Sequence, residues 1–200
     1  MAGWAMGLMV AYLALAFGVR VGVALRTTGK TGIASLGSAP RSEVIGGGLF
    51  FAGVLLGGIN PALALADAIP VWEELDAAAA HAAGFALCGI GIAGTFASQM
   101  AMGSSWRIGV DPEERTDLVT GGLFGFCRNP IYTFMIIAWV GFALLVPTWV
   151  ALAAGVLLIS GIQIQVRLVE EPHMIRTHGQ AYLDWARRVG RFLPRLGLIA

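Results

Sequence analysis

Charge is what this 200-residue sequence has least of: 12% of its residues are Asp, Glu, Lys or Arg, about half the share of an ordinary soluble domain. Lysine occurs once, at Lys30. With 57% of the residues hydrophobic, this scarcity excludes a soluble domain and implies an all-α integral membrane protein. The formal net charge of +1 gives no basis for a nucleic-acid partner. Cysteine is also sparse: Cys88 lies in an apolar segment and Cys127 beside a polar one, so there is no disulfide framework and no CxxC motif. Both are expected as buried free thiols. His81, His173 and His178 have neither HxxxH nor Cys/His spacing, so no metal site is expected.

What is present is apolar sequence in five blocks. No basic n-region precedes the run that begins near Trp4, so that run is expected to be a first span to about Leu25, not a cleavable signal peptide. Arg20, near its end, is expected to snorkel toward a headgroup region. The second span, about Val44 to Ala66, carries Gly53 and Gly57 at GxxxG spacing, and Asn60-Pro61 is expected to kink or end it. The third runs from about Ala77 to Met100. Its GIGIAG, Gly89 to Gly94, matches the GxGxxG string of dinucleotide sites but lies inside an apolar helix, where glycines serve close packing. Ile131 to Val146 and Thr148 to Val166 form the fourth and fifth spans, joined at Pro147 as an antiparallel hairpin. The tail, Arg167 to Ala200, is expected to lie along the membrane surface as short helices broken at Pro172 and Gly179.

Five spans and the positive-inside rule test one another. With the N-terminus outside and the C-terminus inside, all 13 basic residues fall at inner ends, inner loops or the tail, and the acidic stretch Asp67 to Asp76 falls outside. Residues 1–100 then form three spans on an accessory or substrate side. Residues 101–200 form a cytoplasmic loop, helical hairpin 131–166 and a cytoplasmic tail. The expected location is a bacterial cytoplasmic membrane, with the active site facing the cytoplasm.

One polar knot interrupts this chain at a costly place. LFGFCRNPIY, Leu123 to Tyr132, sets Arg128 and Asn129 before Pro130 at the edge of a long apolar run, where charged groups mark binding sites. The hairpin returns the chain to the same face at Glu170 and Glu171, followed by His178, Gly179, Tyr182 and Trp185. Singly, each piece has a plainer reading: the glutamates as partners of arginines, the ring stripe as an interfacial anchor, and Arg187, Arg188, Arg191 and Arg195 as headgroup contacts.

In order, LVTGGLFGFCRNPIY and then EEPHMIRTHGQAYLDWARRVGRFLP resemble the isoprenylcysteine carboxyl methyltransferase family of integral-membrane enzymes, related to the phospholipid methyltransferases. There an Arg-His-Pro-x-Tyr knot precedes a hairpin, Glu-Glu and Gly-x-x-Tyr-x-x-Tyr. The resemblance covers about Ala101 to Pro194. It implies S-adenosylmethionine at the cytoplasmic face, held by Arg128, Asn129, Pro130, Tyr132, Glu170, Glu171, His178, Gly179 and Tyr182, and an amphiphilic acceptor from the lipid bilayer meeting Trp185 and Arg188. Arg128, Arg188 and Glu170 are the expected catalytic residues. Asn129 stands for the usual His, Trp185 for the second Tyr, and Gly190 for a proline.

The residue chemistry agrees. Adenosylmethionine presents a carboxylate, an ammonium, a sulfonium and an adenine, which Arg and Asn, Glu, and Tyr with Trp can meet. O-methylation of a carboxylate is slightly preferred, since it needs cations and alignment but no base. The alternatives are phospholipid N-methylation, with Glu170, Glu171 or His178 as base, an NADPH-dependent sterol or steroid reductase, and a non-enzymatic membrane protein.

Overall fold

Apolar runs free of internal charge dominate the chain, and in the computed structural model, which describes residues 1–32, 40–109 and 116–199, they become long helices. The helices are α1 (Ala2–Thr28), α2 (Arg41–Leu65), α3 (Ala78–Ala101), α4 (Pro130–Leu145), α5 (Trp149–His178) and α6 (Gln180–Ala186). Four of them, α1, α2, α3 and α5, are long and apolar enough to cross a membrane, and α4 is a shorter apolar helix. With 16 residues, α4 rises only about 24 Å, against a hydrocarbon core of about 30 Å. Among the described residues there is no strand; isolated bridge residues occur, among them a parallel bridge between Cys127 and Gly190. The PEER stretch of the third loop lies outside the described residues.

Two close helix pairs build the bundle, α3 on α4 and α2 on α5. Glycine permits both approaches. A Cβ on Gly53 would sit 2.7 Å from the Leu158 backbone nitrogen, and one on Gly91 would overlap the backbone of Ala138. The GIGIAG string is therefore partly a packing motif, with Gly91 and Gly94 at the contact and Gly89 facing open space. Gly91→Leu is expected to destabilise the fold by about 1–3 kcal/mol through overpacking, whereas Gly89→Leu should leave the thermal midpoint in detergent unchanged. Equal effects at the two positions would contradict this packing.

One expectation is narrowed and two are corrected. Of the kink or end expected at Asn60-Pro61, the end is not taken: the helix runs on through Pro61 to Leu65. The Asn60 amide, before it, donates to Val146 O at 3.1 Å and accepts from the Thr148 hydroxyl at 2.5 Å, tying the end of α2 to the α4–α5 turn. Pro172 does not break the chain either: α5 continues through it, because the wide π turns of Gln165–Glu170 directly before it accommodate the ring, and the break comes only at Gly179. Finally, Arg20 does not snorkel. It is buried, 1% exposed, and donates to Gly103 O.

Candidate active site

The knot is placed by its proline. Pro130 occupies the first position of α4, which suits its fixed φ, and the residue before a proline is pushed out of the helical region, as Asn129 is at φ −126°. The non-helical backbone there pairs with the tail: Arg128 N donates to Gly190 O at 2.8 Å and Asn129 N to Arg191 O at 3.0 Å. The Asn129 amide donates to the same Arg191 carbonyl, and the Thr133 hydroxyl to Phe192 O. Gly190 fits this junction for a steric reason, since a Cβ there would collide with the Leu193 carbonyl.

Behind the bridge lies a buried ion cluster. Arg128 donates through Nη1 to Ala186 O and Val189 O, and through Nη2 to Gly197 O and to Glu171 Oε1 at 2.7 Å. Arg191 closes on the same carboxylate from the tail, Nε to Oε1 at 2.7 Å and Nη2 to Oε2 at 2.9 Å. That bidentate hold raises the Arg191 pKa. Arg128 therefore meets Glu171, while Glu170 is met by the Tyr132 hydroxyl, which donates to Oε1 at 2.6 Å. The second Glu170 oxygen takes no hydrogen bond from the described residues.

A cavity of about 490 Å³ opens over this arrangement. It is lined by Arg128, Asn129, Pro130, Tyr132, Glu170, Glu171, Tyr182 and Trp185, and it continues along Phe17 of α1, Gly46 and Phe50 of α2, and Met135 of α4. Its wall is thus partly polar and partly apolar. Tyr182 and Trp185 meet edge to face with centroids 5.6 Å apart, and burial pushes the Tyr182 hydroxyl up to about 12, so it stays a neutral donor at ordinary pH. Two buried donors of wall residues, Arg128 Nε and Trp185 Nε1, have no partner among the described residues. Such orphans are costly unless a ligand accepts from them. Burial raises the Cys127 thiol, so beside the knot it remains protonated.

Three expected site residues do not line the cavity. Arg188 is exposed and donates to its own helix at Asp184 O, His178 keeps a buried Nε2 with no partner among the described residues, and Gly179, at φ +53°, joins α5 to α6. Conversely, Glu43, Gln99, Trp106, Arg107 and Asp117 line it without having been singled out. Arg191 was read only as a headgroup contact. The WR pair in MGSSWRIGVD was a legible signal, whereas nothing local distinguishes Arg191 from Arg187 or Arg188.

Comparison with known proteins gives a family, a curated relative and a solved structure of the same fold. The model of the family described as phospholipid methyltransferase matches residues 79–181, from α3 through the knot and hairpin to the first turn of α6. The nickel-cobalt-cadmium resistance protein NccN of Alcaligenes xylosoxydans xylosoxydans is 28% identical over 114 residues, 56% of this chain and 52% of that protein. The chain thus spans about half the length of that curated relative. Among the described residues here, no group of three or more His, Cys, Asp or Glu side chains is placed to hold a metal ion. The structure of a eukaryotic intramembrane Ras methyltransferase, isoprenylcysteine carboxyl methyltransferase, superposes with a TM-score of 0.60 at 18% identity, covering 98% of this chain and 69% of that one. That likeness is one of fold.

Proposed function

This chain belongs to the phospholipid methyltransferase family, and on that premise we propose that it is a membrane methyltransferase moving a methyl group from S-adenosylmethionine to a lipophilic acceptor. The observation that carries the reading is the single cavity that joins knot and tail to apolar residues of α1, α2 and α4. A cofactor with a charged amino-acid end and a flat base fits the polar part of its wall. The orphan donors Arg128 Nε and Trp185 Nε1 suit a carboxylate, the open oxygen of Glu170 suits an ammonium or sulfonium, and Phe124, Tyr182 and Trp185 supply flat surface. When bound, the cofactor supplies an electrophilic methyl group for in-line displacement. The protein aligns the reactants and keeps water out, and alignment alone can contribute about 7–11 kcal/mol.

O-methylation of a carboxylate is proposed first, because it asks for donors and alignment but no base. A second reading, N-methylation of an amine, is favoured by Glu170. Its second oxygen is unspent and Tyr132 orients the first, as a general base requires. Residues 1–100 would shape the acceptor side and 101–200 the cofactor side. The positive-inside pattern supports a site facing the cytoplasm, and the membrane is proposed to be a bacterial one.

Incubating purified protein with methyl-labelled adenosylmethionine and a host lipid extract should yield a labelled lipophilic product, whose base lability separates ester from amine. Binding of adenosylmethionine but not NADPH would also set aside the reductase reading. No labelled product and no cofactor binding would refute the proposal.

A further inference from the structure

We propose that Arg20 is a positioning residue that holds Trp106 in the cavity wall, so that α1 sets the shape of the acceptor side; its functional meaning rests on the methyltransferase reading above. Arg20 is almost completely buried, yet no acidic side chain pairs with it among the described residues. Among the described residues its one hydrogen bond goes from Nη2 to Gly103 O, and Nε and Nη1 have no partner. Its main companion is a ring: the guanidinium carbon stands 4.5 Å from the centroid of Trp106. A desolvated cation over an indole face is strongly attracted to it, and the planar guanidinium stacks where an ammonium would not.

Trp106 is held from a second direction as well. A Cβ on Gly32 would come within 3.0 Å of its ring, so the backbone of the first inner loop lies against it, and Ile108 N donates to Gly32 O at 2.7 Å. The ring therefore sits between a span and a loop while lining the cavity beside Phe17, Gln99 and Met102. The π segment Ala14–Val19 ends directly before Arg20, and Gln99 Nε2 donates into it at Ala16 O. Such wide turns reset which face of a helix a following side chain takes. Arg20 thus connects a membrane helix to the wall that an acceptor chain would meet, one layer from the proposed chemistry.

The test uses the full-length protein in detergent and a brominated fatty acid as an amphiphilic quencher, with the Trp106 emission isolated by difference from Trp106→Phe. In the wild type the probe should quench that emission. Arg20→Met is expected to weaken the apparent probe affinity by about tenfold, Arg20→Lys by less, and both should leave adenosylmethionine affinity unchanged. The double variant Arg20→Met/Trp106→Phe serves as the blank from which the Trp106 emission of Arg20→Met is taken. Wild-type probe affinity in Arg20→Met overturns the proposal, as does a parallel loss of cofactor and probe affinity, the mark of a merely structural residue. If Arg20→Met does not fold, wild-type probe affinity in Arg20→Lys likewise overturns it. Failure of the methyltransferase reading shows separately, as absence of cofactor binding in the wild type with Trp106 quenching intact.

Discussion

Glu171→Gln is expected to destabilise the protein by about 3–5 kcal/mol, the cost of removing one member of a buried, hydrogen-bonded ion cluster. The Arg128 and Glu171 side chains are 1% and 10% exposed and that of Arg191 15%, so none of the three can turn to water once a partner is lost. The amide oxygen could still accept from Arg128 Nη2 and Arg191 Nε, but the amide NH2 would meet Arg191 Nη2 donor to donor, and two guanidinium groups would be left without a counter-charge. Because this cluster joins the knot, α5 and the tail, the loss should appear as a lower thermal midpoint in detergent and earlier proteolysis of the tail after Gly179. An unchanged midpoint would mean that the cluster contributes nothing net, as some buried pairs do when their desolvation cancels their attraction. Arg128→Lys should also be destabilising, since an ammonium cannot reach Ala186, Val189, Gly197 and Glu171 together.

Glu170→Gln separates the two acceptor chemistries. If an amine is methylated, the substitution removes the base, and kcat should fall by about 10²–10⁴-fold with cofactor affinity little changed. If a carboxylate is methylated, Glu170 only faces the cationic end of the cofactor, and the loss should fall on cofactor affinity while kcat holds. Tyr132→Phe, which removes the one hydrogen bond that orients Glu170, should move the same quantity in the same direction by a smaller factor. Wild-type values of both constants in Glu170→Gln would remove this residue from the site.

How the two glutamates divide their roles was hidden in the sequence. Glu170 and Glu171 are adjacent and chemically alike, and helical periodicity says only that they point in different directions. The partners decide: Tyr132 lies across the hairpin from one, while Arg128 and Arg191 converge on the other from segments 43 and 20 residues away. The same holds for Pro172, whose expected break depends on the turn before it, and for Arg20, whose snorkelling was the cheaper outcome until a loop packed over it. Arg188 and His178 belong to the motif order but not to the cavity lining, because neighbours on a helix face different ways.

By itself, the sequence determined the membrane class, all five apolar helices to within a few residues at their amino ends, and the identity of the polar pieces that meet. Hydrophobic run length and charge scarcity are local properties, and the bilayer admits few solutions to them. Only the tertiary structure decided which polar groups pair, which donors are left for a ligand, and that α1 and α2 wall the cavity. Those outcomes depend on distances between segments far apart in the chain, set by glycine-permitted helix contacts such as Gly91 on Ala138 and Gly53 on Leu158.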